Sequence, residues 1–593
     1  MKEEMLEKSS VIGRTDADLK KYGEKGTAYI GKVVLSSGEN PVLGRKILMD
    51  VAKPHLVLIC GKRGGGKCVV GDTLITLEDG SVKPIKELEN YSGNVFSLSH
   101  DYKITKQQKV DFFKRTAPKI LRVKMRSGKE IKLTPEHPLM TVDGWKQIQE
   151  LKVGSRIATP RIIPVFGEGF LKESEIKILA YMIAEGHYKR YATWFSNTDT
   201  KIIHDFTSSI IDFDENLIVN LSSKNNHRVV SKNTKFKQRN TLRKWFIELE
   251  IYGQTSYDKI IPQQIFTLPK QKISLFLNRL FSCDGTIYFD KNAETWRISY
   301  TSASEKLIRQ VQHLLLRFEI MSSFREKNNS YKGSDKSFKS FELDLRGKNV
   351  EKFLLEIGFF GVKEDRQKQA IEEIKNIKRN ENIDTIPKEI WNTYRPKSWA
   401  HIGRNLGFAY PKSMRESIHY SPTRAKLLQI AQLDSNELME KFATSDIFWD
   451  EIKGIEEINE ETEVFDLTVA EEHNFIANDI IIHNSYSMAV VLEELARQPR
   501  EIKNRISVIT IDTVGIFWTL KIPNSEEKGE LSNWDLEPDK TDAQVLVPKG
   551  KLDFYKEKKL PVDGSFTIKT SELDDVEWLA LFQLTWKDPE GVA

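Results

Sequence analysis

The chain has 593 residues, 30% of them charged and 39% hydrophobic, with a formal net charge of +5. That length calls for several cores, and that composition reads as soluble and globular rather than disordered. No apolar run is long enough for a membrane span, the Met1-Lys2-Glu3-Glu4 start is no secretory signal, and Cys60, Cys68 and Cys283 cannot build a disulfide framework, which points to the cytoplasm.

In chain order, the first motif is PHLVLICGKRGGGK at residues 54–67, an apolar run entering a glycine-rich loop that ends in lysine. Such a loop needs glycines so that backbone N–H groups can cradle phosphates, then Lys, then Ser or Thr to hold Mg²⁺. Gly61, Gly66 and Lys67 fill the first places, but Cys68 follows, and CVVGDTLITLEDGSV reads as strands and a turn instead of a helix. The missing half stands at Ser485, which opens the amphipathic run SYSMAVVLEELARQ. Joining Lys67 to Ser485 restores GKRGGGKS and its helix. A segment from Cys68 to Asn484 therefore interrupts a phosphate-binding loop, which would take ATP and Mg²⁺ only once the two halves are joined.

The edges of the interruption carry nucleophiles. The Cys68 thiol and the Ser485 hydroxyl each follow a peptide carbonyl that they can attack in an acyl shift. The Asn484 side-chain amide can attack its own carbonyl, closing a succinimide and cutting the chain. The stretches around these residues resemble the splicing blocks of inteins: residues 68–88, then GKEIKLTPEHPLMTVDGWKQIQEL with Thr134 and His137, then EVFDLTVAEEHNFIANDIIIHNS with Asp466, His473, His483, Asn484 and Ser485. The resemblance implies the all-β hedgehog/intein (Hint) fold. It also implies a mechanism: Cys68 forms a thioester with Lys67, His137 protonates the departing nitrogen or distorts the scissile bond, and Thr134 helps to steady the oxyanion. Ser485 then takes over the acyl group, and Asn484 cyclises with help from His483 and His473. No cofactor is implied for splicing. Taken singly, His137 also reads as a turn histidine between Pro135 and Pro138, Asp466 as a surface strand residue and His473 as a loop donor.

The middle of the segment holds a repeat. ILAYMIAEG (178–186) and LNRLFSCDG (277–285) are apolar, helix-like runs ending in an acid and glycine, and WFSNTDTKII (194–203) matches ISYTSASEKLI (298–308) as strand, polar loop and helix. A duplication of αββ units would bring Glu185 and Asp284 together, and facing carboxylates invite a shared Mg²⁺. The arrangement resembles the LAGLIDADG homing endonucleases, which implies metal held by Glu185 and Asp284, two-strand cleavage of double-stranded DNA, and phosphate contacts from the run Tyr188 to Arg190 and the lysines near 324–340. Arg279 departs from the small residue expected at its place in the helix pair, which Ala180 supplies in the first copy.

Farther on, residues 385–435 read as two short helices around a loop, either a helix-turn-helix that grips DNA or a strut back to the splicing domain. The expected architecture is thus multidomain: an all-β Hint splicing domain (68–168 and 441–484) with an inserted α+β LAGLIDADG endonuclease (169–365) and an accessory helical region (366–440), flanked by α/β P-loop ATPase halves at 1–67 and 485–593. The host halves, with a strand at 505–518, resemble HerA-type ATPases, for which a homo-oligomeric ring is one candidate assembly. The shortness of the second half reads as a truncation. Two alternatives stand beside this reading: a splicing element with an inactive nuclease, and an ATPase with a retained insertion.

Overall fold

The computed structural model describes residues 67–483 apart from breaks at 190–191, 224, 233–238, 331–336, 376–383, 471 and 473, together with parts of 10–50 and 520–567. The chain divides into two units, one of Met1–Ile59 with Tyr486–Ala593 and one of Cys60–Ser485. In the first unit, Ser10–Ile12, Val42–Asp50 and Thr27–Ser36 form a three-stranded sheet in that order, with Arg14 bonded to Asp50 at 2.6 Å. The rest of the glycine-rich loop and the 505–518 strand expected from sequence lie outside the described residues.

The second unit opens with ten strands: β1 (Val69–Val70), β2 (Leu74–Thr76), β3 (Val82–Pro84), β4 (Asn94–Leu98), β5 (Ile104–Ala117), β6 (Ile120–Met125), β7 (Glu130–Leu133), β8 (Pro138–Thr141), β9 (Gly144–Gln147) and β10 (Arg156–Pro160). Alternation of buried and solvent-facing residues, as in the run Ile120–Met125, makes these half-buried strands. Positive-φ glycines turn them: Gly80 (88°) follows β2 and Gly144 (96°) opens β9.

A duplicated body follows. Its first copy is α1 (Glu173–Glu185), β11 (Gly186–Lys189), β12 (Ala192–Ser196), α2 (Thr200–Phe213), β13 (Leu217–Ser223), β14 (Asn226–Ser231) and α3 (Thr241–Glu248). The second is α4 (Lys270–Asp284), β15 (Gly285–Asp290), β16 (Thr295–Ser302), α5 (Glu305–Arg317), β17 (Ser323–Ser330), β18 (Ser337–Leu345) and α6 (Lys348–Glu356). The sheets have the same order, β11-β12-β14-β13 and β15-β16-β18-β17. The register is the same too, Gly186 opposite Phe195 and Gly285 opposite Tyr300. Asp199 and Ser304 cap α2 and α5 in equivalent places. Each repeat is therefore αββαββα, larger than the αββ unit that the sequence suggested, because the second hairpin of each copy carries little sequence likeness. The two copies share one hydrophobic core in which α1 and α4 pack side by side, burying Leu179, Ala180, Leu277 and Phe281. Each fully buried phenylalanine there contributes roughly 1.5–3 kcal/mol.

Arg279 does not wedge this helix pair apart. Its Nε donates to Asp205 Oδ2 on α2 at 2.8 Å, where Lys177 and the Tyr181 hydroxyl also bond, and its guanidinium stacks over Phe360 at 4.0 Å.

The chain then passes through α7 (Glu364–Ile374), α8 (Trp399–Asn405), α9 (Arg424–Asp434) and α10 (Glu437–Thr444) and returns to β19 (Ile447–Ile458), β20 (Thr462–Val469), β21 (Asn474–Ala477) and β22 (Ile480–His483). Sheet orders are β10-β19-β6-β7-β1-β20-β5-β4 and β9-β8-β22-β21-β2-β3. The last four strands thus interleave with the first ten, so one all-β body is built from both ends of the segment. Residues 386–443 pack Ile390, Trp391, Ile402, Leu427 and Phe442 into a core with Phe96, Met140, Trp449 and Ile481 of that body. On its inner side this region is a strut, and it holds more than the two helices expected.

Gly167 lies where the duplicated body meets the splicing body, its N–H bonded to Leu268 O at 3.2 Å. A Cβ there would collide with the carbonyl oxygens of Thr267 and Asp79, neither of which can swing aside. Gly167→Ala is expected to cost about 1–3 kcal/mol, measured as a fall in thermal unfolding temperature; an unchanged transition would show that this seam does not restrain the chain.

Candidate active site

Strand pairing carries the two ends of the interruption to one place. β1 lies between β7 and β20, with Val69 opposite both Leu133 and Phe465. β22, which ends one residue before Asn484, pairs with β8 through Ile482 and Leu139. The turn from β7 to β8, carrying Thr134 and His137, therefore touches both ends. Lys67 Nζ lies 3.4 Å from His483 Nδ1, and Trp145 of β9 meets the His483 ring edge-on at 4.7 Å.

At the first junction, the Cys68 N–H donates to Thr134 Oγ1 at 3.1 Å, and the Thr134 N–H donates to Cys68 O at 2.9 Å. The Thr134 hydroxyl thus holds the Cys68 nitrogen, the leaving nitrogen of the expected acyl shift. His137 is fully buried, and both its ring nitrogens lack a hydrogen-bond partner among the described residues. Burial first, then the nearby Lys67 and His483, pull its pKa down to about 3, while the Cys68 backbone opposes the shift. At neutral pH it is an uncharged imidazole and can act as a base before it acts as an acid.

The Cys68 thiol is 1% exposed. Burial and then the Asp466 carboxylate push it up to about 11, against the pull of Arg115, whose Nε sits 3.4 Å from Sγ. Burial also drives the Asp466 carboxyl well above the usual carboxylate range, although the Leu467 N–H donates to its Oδ1 at 2.9 Å. The Lys67 amine is lowered by burial, partly offset by Asp466. His473, Asn484 and Ser485, with Gly61 and Gly66 of the phosphate loop, lie outside the described residues. Arg115 and Trp145 were invisible to sequence reasoning, since a strand arginine and a strand tryptophan carry no signal of their own.

A second cluster sits where α1 and α4 end. Glu185 is raised to about 7 by burial and by Asp284, and Asp284 to about 6 by burial. Asn197 Nδ2 donates to Glu185 Oε2 at 2.5 Å. Two lysines unmarked in the sequence reading close the cluster. Lys259 Nζ donates to Ala184 O at 2.6 Å, and Lys363 Nζ to the carbonyls of Ser282 and Gly285, both at 2.6 Å. Each lysine follows the acid of its own repeat, caps that helix's C-terminus and opposes the rise in the carboxylate pKa values. Of the residues expected to meet phosphates, Tyr188 is packed against Tyr252 at 4.8 Å, and Lys327 and Lys339 pair with Glu342 and Glu326 at 2.7 and 2.6 Å. Arg190 lies outside the described residues. No helix among the described residues is long and apolar enough to cross a membrane.

Two segment ends zipped into one β-body, with a buried thiol, a neutral histidine and the Lys67–Cys68 amide at the point of contact, fit a splicing domain. The family described as intein splicing domain matches residues 75–484, and the chain belongs to it. Among similar curated proteins, the replicative DNA helicase DnaB of Synechocystis sp. is 30% identical over 443 residues, covering 70% of this chain and 49% of that protein. The DnaB of Rhodothermus marinus is also 30% identical, with 46% of its length covered. The replication factor C small subunit of Methanocaldococcus jannaschii is 26% identical, with 22% covered. The chain thus spans about half the length of the DnaB relatives it matches. Among solved structures, a mutant of the Ssp DnaB mini-intein variant M86 is 14% identical, covering 71% of this chain and 99% of that one at a TM-score of 0.22. A DnaB intein from Synechocystis sp. PCC 6803 is 30% identical, covering 16% and 70% at a TM-score of 0.16.

Because Arg115 is the one cation bonded to the Cys68 sulfur among the described residues, Arg115→Gln should raise the thiol pKa further. Each further pKa unit should slow alkylation of Cys68 at pH 8 by roughly tenfold, with the pH–rate curve displaced to higher pH; an unmoved curve would sink this account. His137 gives a second expectation. It stays neutral down to about pH 3, while in the unfolded chain it protonates near 6.5. The unfolded state then binds the extra proton between those values, so stability present above pH 6.5 is lost as pH falls. His137→Gln should flatten the acid-side fall in urea-unfolding stability by up to about 1.4 kcal/mol per pH unit in that window.

Proposed function

We propose that this chain is an unspliced precursor, which excises residues 68–484 and joins Lys67 to Ser485. The observation that carries the reading is the contact of Lys67 with His483 at 3.4 Å, since it brings the residues beside both junctions together. Cys68 Sγ attacks the Lys67 carbonyl, forming the C–S bond as the Lys67–Cys68 C–N bond breaks. Neutral His137 takes the thiol proton and returns it to the departing Cys68 nitrogen, which Thr134 holds in place. Ser485 Oγ then displaces the thiolate, its proton passing to sulfur. The Asn484 amide nitrogen attacks its own carbonyl and releases the Ser485 amine, with His483 and His473 moving the protons. The ester formed at Ser485 finally rearranges to an amide. Bond energy passes from acyl to acyl, so the step needs no ATP or metal; the contribution of the fold is proximity.

The inserted body is read as a LAGLIDADG homing endonuclease acting on double-stranded DNA. Support comes from the duplicated αββαββα topology and from Glu185 and Asp284, both raised by burial and Glu185 also by the neighbouring Asp284, a cost of ionisation that a bound dication relieves. That donor set fits Mg²⁺ held between Glu185 and Asp284, which would supply Lewis-acid chemistry at a phosphodiester. The accessory region adds exposed Arg395, Lys397, Arg404, Lys412 and Arg415 with exposed Tyr410 and Tyr420 on its outer side, a charge and aromatic pattern suited to phosphates and bases. The host is read as a P-loop ATPase of HerA type acting in the cytoplasm, with ATP and Mg²⁺ at Gly61, Gly66, Lys67 and Ser485 after joining. The similarity to replicative DNA helicases and a replication factor C small subunit favours a host that works on DNA.

Intact mass should resolve a joined 1–67/485–593 product and a free 68–484 fragment, with the Cys68→Ala/Asn484→Ala variant remaining whole; full-length wild type alone would defeat the splicing reading. For the nuclease, saturating Mg²⁺ should raise the unfolding temperature of the wild type, by a stabilisation of about 2.7 kcal/mol at a hundredfold excess over Kd. Glu185→Gln/Asp284→Asn should abolish that rise; the same rise in both proteins would place the metal elsewhere.

A further inference from the structure

The hairpin that presents the second junction turns through Asn478 and Asp479, both at positive φ (48° and 57°), with Ala477 paired to Ile480. Asn478 is fixed within the splicing body: its Oδ1 accepts from the Leu74 N–H at 2.7 Å, and its Nδ2 donates to Glu130 O at 3.0 Å. Asp479 reaches the other way. Its Oδ1 lies 2.9 Å from His313 Nδ1, on α5 of the duplicated body. His313 Nε2 in turn faces Arg317 Nε at 3.2 Å and Nη2 at 3.0 Å. Arg317 spans both bodies, donating to Phe266 O at 2.6 Å and to Gly80 O, beside β2, at 2.5 Å.

This chain of contacts has only one consistent proton arrangement. An arginine offers donors alone, so His313 Nε2 must accept, which leaves the proton on Nδ1 aimed at Asp479. The order is guanidinium, neutral imidazole, carboxylate, with Lys129 as the further cation acting on the last two. Arg317 is 1% exposed and the His313 and Asp479 side chains 9% and 14%, so water scarcely competes. From Asp479, β22 runs four residues to His483, about 13 Å at strand spacing, and Asn484 is next in sequence. A hairpin tied at its turn acts as a lever on its end.

We propose that Arg317, His313 and Asp479 form a positioning chain through which the inserted domain orients the junction at Asn484, making that domain part of the splicing apparatus. The proposal rests on the splicing reading, and it assigns the three residues to the second cut, not the first. Asp479→Gly tests it cleanly, because Asn-Gly is a favoured two-residue hairpin turn and only the carboxylate is lost. In full-length protein carrying Cys68→Ala, C-terminal cleavage followed by mass should slow about tenfold or more. In full-length protein carrying Asn484→Ala, dithiothreitol-induced cleavage at Cys68 should be unchanged by the same substitution. Asp479→Asn, which keeps an acceptor oxygen, should restore most of the rate. His313→Leu added to Asp479→Gly should cause no further loss, since both break one chain. Equal slowing of both cuts would reduce the contact to general stability and overturn the proposal, and so would an unaltered C-terminal rate. A parent protein that cleaves at neither junction overturns the splicing reading and this proposal with it.

Discussion

Strand pairing around the turn from β7 to β8 holds the whole arrangement together. That turn pairs through Leu133 with the strand leaving Cys68 and through Leu139 with the strand arriving at His483. A peptide bond is kinetically inert in water, and none of the groups here is unusual by itself. What the sheets supply is a fixed approach between a thiol, an amide and a histidine, which removes the entropy of bringing them together. Without the pairing, residues separated by almost the full length of the segment would meet only rarely.

The environment at the first junction is set against premature ionisation. Cys68 is raised by burial and by Asp466, while His137 is kept neutral by burial and neighbouring Lys67. A raised thiol is a poor nucleophile at rest, so attack by it would have to be coupled to removal of its proton. Arg115 moderates the resistance without abolishing it. The Thr134 hydroxyl completes the site by keeping the amide N–H engaged. Each perturbed group has its cause within this small volume, the pattern expected of a functional site.

The duplicated body enters between β10 and β19, which are themselves paired, with Thr159 opposite Phe448. An insertion whose ends are adjacent leaves the sheet closed, and it is tolerated for that reason. Yet the inserted body is not loosely appended: Gln263 exchanges two hydrogen bonds with the Val82 backbone, and Arg317 reaches the Gly80 carbonyl. The two bodies thus share one packed unit.

The proposed junctions rest on the sequence: Cys68, Asn484 and Ser485 stand where a glycine-rich loop and an amphipathic run would join into a phosphate loop. The splicing body's β character was legible through alternation and turn glycines, and the duplication through Glu185 and Asp284 at the ends of like helices. The true size of each repeat was not, because β13-β14 and β17-β18 preserve shape without preserving residues. Only tertiary structure could put Arg115 on the Cys68 sulfur, put the Thr134 hydroxyl on the Cys68 nitrogen, or place Lys259 and Lys363 at the helix ends. Those are contacts between residues far apart in the chain, and nothing local in a sequence encodes which partner a strand will take. Sequence named the candidate groups; folding decided which of them are neutral, which are held, and which ones touch.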